Sequence, residues 1–329
     1  MDSSVGILTS PYLYSCAVTL LLVIALKALL GLFISQSTEN FFQLYCQRLA
    51  DKVNKSSNSP RQNNMSGLIA VLVTLIPIAV ILWLFETLIE VIWLWHGLLL
   101  YFSLGYIGTS KNNKRIAKEL VANNTYQAKQ AIAPFLLRAT EKLSPLGISK
   151  ACIEMQVLRS SQLLVCVGFY YLFFGPLAAV IFRLLLEMHY AWNIKKERYQ
   201  YFGATANHIV KLLQWLPSRL FAIILLLGIV TKNTLLCWRL TRGKFFQTGN
   251  SLLLHILALG LEIKLGGVAM YNGNKLRKDS FNDQARQPQA TDIIHASKRI
   301  NYALYLCILL VMMLSIISYT LATPATITH

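Results

Sequence analysis

An all-α, polytopic integral membrane protein is the fold class this sequence predicts, and three observations predict it. Of the 329 residues, 55% are hydrophobic, and the mean hydropathy is +0.50. The apolar residues come in blocks close to the length of a spanning helix, about 20 residues, rather than in the alternation of a half-buried strand. The formal net charge is +17, from 31 Lys plus Arg against 14 Asp plus Glu. These cations lie between the apolar blocks, as they do in cytoplasmic loops. No recognisable nucleic-acid module accompanies them, so the lipid bilayer, and not nucleic acid, is the expected partner. The reading is one membrane domain over 1–329, with about four full spans near 12–33, 67–85, 91–107 and 300–321. Two broken or re-entrant apolar segments, near 163–188 and 220–238, complete it, together with amphipathic cytoplasmic helices over 109–160.

The first block, Tyr12–Phe33, follows a segment with no basic n-region, and no convincing small-residue cleavage site comes after it. It reads as a retained span rather than a signal peptide. Lys27 inside it is expected to face the protein interior or to snorkel to an interface. Residues 36–65 form a basic loop with Arg48, Lys52, Lys55 and Arg61. The next two spans, Gly67–Phe85 and Val91–Ile107, are joined by E-T-L-I-E, which has no Lys or Arg and therefore belongs outside. Glu86 and Glu90 share a helical face at their spacing of four, which suits a solvated hairpin tip better than a catalytic pair.

Residues 109–160 are basic, helical in pattern and amphipathic, with breaks at Pro134 and at L-S-P-L-G. A solvated face explains them, and a surface for a phosphorylated substrate is the alternative. In 163–188 the run F-F-G-P, with Gly175 and Pro176, interrupts the helix. A single crossing there would put the basic residues of 193–200 outside, against the charge rule, whereas a hairpin returns them. Broken backbone at membrane depth survives only when buried in protein or lining a cavity, so this segment is a candidate site wall. Segment 220–238, with Gly228 inside it and Lys232 near its end, poses the same choice, and the two hairpins stand or fall together.

Between them lies E-R-Y-Q-Y-F-G-A-T-A-N-H-I-V-K-L-L-Q-W-L-P-S-R, Glu197–Arg219. It turns at Gly203 and enters an amphipathic helix whose stripe is Ile209, Leu212, Leu213 and Leu216. Trp215 suits a water–lipid boundary, Pro217 is expected to begin the next apolar segment, and Arg219 at its mouth is placed to meet an anion. Further on, Gly266 and Gly267 permit positive φ and close backbone approach, suited to a phosphate or to a tight packing turn. The six cysteines form no C-x-x-C pair and read as buried apolar residues, not a disulfide framework or zinc site.

Taken in order, Y-x-x-F-G, W-x-P-x-R-L, L-G-G-x-x-x-Y-x-G and D-I-x-x-A before a final span resemble the CobD/CbiB family of cobalamin-biosynthesis membrane proteins. The residues are Tyr199, Phe202, Gly203, Trp215, Pro217, Arg219, Leu220, Leu265, Gly266, Gly267, Tyr271, Gly273 and Asp292, covering about 195–300. The resemblance implies adenosylcobinamide-phosphate synthesis, an ATP-dependent amide formation between the carboxylate of adenosylcobyric acid and aminopropanol phosphate. It implies ATP and Mg as cofactors, a corrinoid as substrate, and a multi-pass place in the bacterial inner membrane. The substrate-binding set put forward on this basis is Arg159, His189, Arg198, Tyr199, Gly203, Trp215, Arg219, Gly266, Gly267 and Tyr271.

The chain also departs from the family pattern. After Ile153–Glu154, which match the family's V-E, its A-E-N-x-x-D-G is replaced by V-L-R-S-S-Q-L, with Leu158, Arg159 and Gln162. Its V-N-T-L-D becomes L-L-E-M-H, with Leu186 and His189 in place of the Asn and Asp. A ligase that activates a carboxylate with a nucleotide needs oxygen ligands for its magnesium. Glu154, Glu187 and Glu197 remain as catalytic candidates, while Arg159 and His189 could equally bind an anion without metal; the metal ligands are unassigned. Two further readings stay open: an AmpE-like sensor or accessory protein that has lost the ligase chemistry, and a scaffolding membrane protein. No protein partner is legible.

Overall fold

The computed structural model describes residues 11–33, 41–55, 57–105, 109–136, 140–141, 143–227, 234–247, 249–271 and 274–322. Helices α1 (Pro11–Phe33) and α3 (Pro60–Glu86) supply the first two spans, with the amphipathic α2 (Phe41–Val53) between them. The start of α3 lies seven residues before the apolar run, because Ser59 caps it. The Ser59 hydroxyl accepts the Gln62 N–H at 3.3 Å, and the Gln62 side chain accepts the Ser59 N–H at 2.8 Å. This is a capping box, with Pro60 in the first turn, where a missing N–H is harmless.

Helix α4 (Ile92–Ser103) has 12 residues, about 18 Å of length, and is shorter than the expected span 91–107. Lys27 helps to end it. The ammonium donates to the carbonyls of Leu104 and Gly105 and stands 4.9 Å from the Tyr101 ring centre. A cation at the negative end of a helix satisfies carbonyls that would otherwise be bare inside the protein. Lys27 thus faces the interior. At the opposite end of α3, Glu86 bonds His96 at 3.1 Å, as part of a hairpin tip and not as a partner of Glu90.

Residues 109–160 fold into α5 (Thr109–Val121), α6 (Thr125–Ile132) and α7 (Pro145–Ser160), broken at Pro134 and Pro145 as the sequence predicts. From Ser160 the chain continues through one π-helical turn, Ser161–Cys166, into α8 (Val167–Ala191). At Gly175 the backbone leaves the helix (φ 86°, ψ −179°) and reverses. The Tyr170 ring stacks on Phe182 at 5.0 Å, and the Tyr190 hydroxyl donates to Gln162 Oε1 at 2.5 Å. In a straight helix, residues 28 apart would be about 42 Å from one another. The 163–188 block is therefore a helical hairpin with both ends at the same end of the bundle. Its tip reaches the Tyr12 hydroxyl at the start of α1.

Helix α9 (Ala204–Leu227) corrects the expected boundary at Pro217, which lies inside one continuous helix. Proline is tolerated because the carbonyl it leaves free, Leu213, accepts the Tyr170 hydroxyl at 2.8 Å. The predicted apolar stripe is split, with Ile209 and Leu213 half-buried against the core. Leu212 (72% exposed) and Leu216 point outward, while Ala206, Asn207, Val210, Gln214 and Pro217 are buried. His208 and Lys211 share the outward side with these two leucines.

The chain then forms α10 (Thr234–Thr241) and α11 (Ser251–Gly260). Arg219 on α9 bonds the carbonyls of Phe245, Gln247 and Gly249, so the chain beyond α10 has come back to α9. Gly228 and Lys232 lie outside the described residues. Next comes a β-hairpin that the sequence reading did not anticipate, β1 (Leu265–Tyr271) and β2 (Asn274–Phe281), antiparallel, with Leu265 opposite Phe281 and a slip of register between Gly266 and Val268. Gly266 (φ 74°) makes the pairing possible, since a Cβ there would collide with the Asp279 carbonyl. Helix α12 (Ala290–Ala322) closes the fold, beginning ten residues before its expected span. Asp292 ends that extension: one oxygen accepts the Gln289 N–H at 2.7 Å, and both take the Arg286 fork at 2.7 Å. This bonding also raises the Arg286 pKa above its ordinary value.

Five helices among the described residues are long and apolar enough to cross a bilayer: Tyr12–Leu30, Pro60–Glu86, the folded-back Pro145–Ala191, Ala204–Leu227 and Ala290–Thr320. Two buried clusters hold them together. One joins α1–α4, the hairpin and the first half of α9; the other joins α5–α7, the second half of α9, α11, the β-hairpin and the start of α12. The polar side chains described next lie at their junction.

Candidate functional site

The reversal at Gly175 gathers polar residues that are far apart in sequence. On the return arm, Arg183 bonds Glu187 Oε1 at 2.6 Å, the i,i+4 spacing of one helical face. Gln43 of α2 donates to Glu187 Oε2 at 2.6 Å, so both carboxylate oxygens are engaged. Arg159, in the last turn of α7, lies within electrostatic reach of Glu187, Tyr190 and Arg183, with its guanidinium 5.3 Å from the Phe135 ring centre. From Tyr190 a relay runs through Gln162 to Gln214 Oε1 on α9, the second bond being 3.2 Å long. Gln162 sits in the π-turn, whose extra residue rotates it toward α9; such turns recur at functional sites. His189 lies beside the cluster, its Nδ1 buried without a partner and its ring within reach of the Lys211 and Lys195 charges. Burial, and then the Glu187 carboxylate, push the Cys46 thiol up to about 12, so this neighbour stays protonated and unreactive.

The other predicted residues take separate places. Glu154, 8% exposed, accepts the Gly266 N–H at 3.0 Å and so pins the β-hairpin to α7. Lys150 and Lys264 flank it, and Lys264 pairs with Asp283 at 2.8 Å. Gly267 (φ 92°) sits at the register slip with open space where a side chain would be, and Tyr271 ends β1. Glu197 is exposed in the turn after the hairpin. Arg198 pairs with Asp51 at 2.5 Å and lies over the buried Tyr199 ring. Gly203 and Gly67 permit tight packing: a methyl on Gly203 would meet the Trp192 carbonyl, and one on Gly67 the Phe202 carbonyl. The F-G pair thus serves a helix junction.

Arg219 departs from its expected role. It is 3% exposed, and beyond the three loop carbonyls it donates to Ser218 Oγ at 3.0 Å and to the Trp215 carbonyl at 3.3 Å, with its plane over the Trp215 ring. Each of its three nitrogens donates to a loop carbonyl, so the guanidinium closes a loop of the chain.

The three candidate carboxylates do not converge, since Glu154 faces the β-hairpin, Glu187 the hairpin cluster and Glu197 the surface. Among the described residues no three His, Cys, Asp or Glu side chains are grouped as a metal's ligands would be. The donor set does not fit a divalent ion held by the protein alone.

A profile of the family described as CobD/Cbib protein matches residues 10–300. The chain belongs to this family. CobD/CbiB relatives include the "Cobalamin biosynthesis protein CobD" of Stutzerimonas stutzeri, 27% identical over 252 residues, which are 76% of this chain and 82% of the relative. The protein of the same name from Chromobacterium violaceum is 30% identical over 176 residues, 53% of this chain and 56% of the relative. That of Leptospira interrogans is 29% identical over 210 residues, 62% and 66% of the two chains. No solved structure matches. The CobD/CbiB match covers the hairpin, α9 and the β-hairpin together, beyond the 195–300 stretch where the resemblance is legible by eye. Sequence reasoning missed Arg183, Tyr190, Gln43 and Gln214 as members of the cluster. The Arg183–Glu187 spacing inside an otherwise apolar block was the available signal, because charge at membrane depth is costly and marks function.

Proposed function

We propose that this CobD/CbiB chain acts in cobalamin biosynthesis by forming the amide between the carboxylate of adenosylcobyric acid and the amine of aminopropanol phosphate, in the inner membrane, with its basic loops and the open end of the hairpin on the cytoplasmic side. One observation carries the reading: the Gly175 reversal brings Arg159, Arg183, Glu187 and Tyr190 into one cluster at the end of the bundle where the basic loops lie. The names of the relatives support the pathway, and the cluster suits anionic, water-soluble substrates meeting at a membrane protein. ATP supplies the activation of the carboxylate when bound. The chain's own part is to hold anionic groups with Arg159 and Arg183, to keep Glu187 fixed through Gln43, and to keep water out with the hairpin arms and α9.

Binding without turnover is a second reading, favoured by a specific observation. Glu187 has both oxygens in hydrogen bonds, Glu154 has one given to a backbone N–H, and the two lie in separate places, so they do not work as a pair. A turnover assay decides between them. Purified protein is mixed with adenosylcobyric acid, aminopropanol phosphate, ATP and magnesium, and the corrinoid mass is followed beside an active relative. The expected product is heavier by aminopropanol phosphate less one water. No product beside an active control would overturn the ligase reading and leave binding.

A further inference from the structure

The outer face of α2 changes in kind from one end of the helix to the other. At 3.6 residues per turn, Phe41, Leu44, Tyr45, Arg48 and Lys52 fall in one stripe about 100° wide. All five are exposed, Phe41 at 81%, while Cys46 and Ala50 on the opposite side are fully buried. The first three are apolar or aromatic and the last two cationic, with the exposed Lys55 just past the helix end. Arg48 and Lys52 have no ion-pair partner among the described residues, and the single acid of α2, Asp51, is taken by Arg198.

Contacts of the inner face fix which end of the stripe is deep. Gln43 bonds Glu187 at 2.6 Å, the Cys46 carbonyl accepts the Trp192 indole N–H at 2.9 Å, and Asn54 donates to the Arg198 carbonyl at 2.7 Å. Helix α2 thus follows the return arm of the hairpin toward the basic turn 193–200. On α3, the Tyr45 hydroxyl meets Thr74 Oγ1 at 3.2 Å, ten residues or about 15 Å of helix beyond Asn64, which bonds Thr205 at the surface. Phe41 is therefore the deep end and Lys52 the surface end, about 16 Å apart along the axis. Apolar side chains beneath cations match the order of a lipid, whose acyl chains lie beneath its phosphate. We propose that the outer face of α2 is a docking site for an anionic glycerophospholipid, with the phosphate on Arg48 and Lys52 and the upper acyl carbons along Phe41, Leu44 and Tyr45. Two cations four residues apart are neighbours on a helix, near enough to share one phosphate. A net negative headgroup is selected, because a zwitterionic one brings its own cation to the same place. The lipid site does not depend on the amide-forming reading.

Helix α5 provides the control, since it also exposes cations, Lys114, Arg115 and Lys118, but buries its apolar Ile116, Ala117 and Leu120. The test uses the full chain in detergent micelles doped with equal amounts of phosphatidylglycerol and phosphatidylcholine, and native mass spectrometry counts the lipid kept. The wild type is expected to keep phosphatidylglycerol over phosphatidylcholine by about tenfold or more. Arg48→Gln with Lys52→Gln is expected to remove that preference, while Lys114→Gln with Lys118→Gln, the same loss of charge on α5, leaves it unaltered. Phe41→Ser with Leu44→Ser is expected to lower the retention of both lipids severalfold. All the substituted side chains are exposed, and melting temperatures in lipid-free micelles check that each variant is folded. Equal retention of the two lipids by the wild type, or an unaltered preference in the Arg48 and Lys52 variant, overturns the site. An equal loss of preference in the α5 variant also overturns it, because net charge alone then governs retention. Displacement of phosphatidylglycerol by millimolar glycerol 3-phosphate assigns the cations to a soluble phosphate and overturns the lipid as occupant.

Discussion

The Tyr170 hydroxyl donates to the Leu213 carbonyl at 2.8 Å, and Leu213 is the residue whose helical partner would have been the absent N–H of Pro217. One bond therefore joins the hairpin to α9 and repairs a defect that the proline makes. Tyr170→Phe is expected to destabilise the protein by about 1–3 kcal/mol, seen as a lower melting temperature in detergent. In a Pro217→Ala background, where the N–H is restored, the same change should cost less. Equal losses in the two backgrounds would mean that this bond is not the link.

Gly175 holds φ 86° and ψ −179°, a region open almost only to glycine, with the Tyr12 hydroxyl 2.8 Å from where a methyl would be. Gly175→Ala and Gly175→Asn should each cost about 1–3 kcal/mol, from the backbone alone. Limited proteolysis of the 161–191 arms, faster than in the wild type, is the readout. Tyr12→Phe in the Ala background should recover only the part due to contact. Wild-type resistance in the Asn variant would argue that the reversal does not need glycine.

A fold-back at Gly175 also fixes sidedness. In a cysteine-free background, single cysteines at Lys55 and Lys195, both exposed, should react with a membrane-impermeant maleimide from the same side, and one at Glu90 from the other. Labelling of 195 with the pattern of 90 would sink the return of the chain.

Arg219 bridges Phe245, Gln247 and Gly249, so its loss should lower stability rather than affinity. Arg219→Ala is expected to destabilise by about 1–3 kcal/mol. Arg219→Lys should recover little, because one ammonium cannot follow a planar fork across three carbonyls. Binding of aminopropanol phosphate measured below the melting transition should stay unchanged. A selective loss of binding at an unaltered melting temperature would return Arg219 to the site.

How much of this was legible depends on what each residue faces. The spans, the Pro134 and Pro145 breaks and the reversal at Gly175–Pro176 follow from apolar length, proline and the charge rule, all local quantities. The stripe Ile209, Leu212, Leu213 and Leu216 was equally visible, yet it divides between lipid and protein: Leu212 and Leu216 point outward, while Ile209 and Leu213 pack inward beside the buried Asn207 and Gln214. Glu154 and Glu187 could be named as carboxylates, but their partners, the Gly266 N–H and Gln43, come from segments more than a hundred residues away. The Gly266–Gly267 pair suggested a phosphate turn or tight packing; Gly266 permits a strand to pass close to Asp279. Arg183 escaped notice because it sits in a block read for its hydrophobicity.

The inward polar side of α9 bears on how the protein is made. A ribosome delivers the hairpin Ser161–Ala191 before Ala204–Leu227, so the partners of Leu213 and Gln214, the side chains of Tyr170 and Gln162, are already at the translocon when α9 emerges. The chain therefore has no need to hold Gln214 in bare lipid at any stage, as a lone α9 would, whereas the loop carbonyls that take Arg219 arrive after it. Sequence order here acts as an assembly order, with the bent element laid down first and the helix that leans on it inserted against a finished surface.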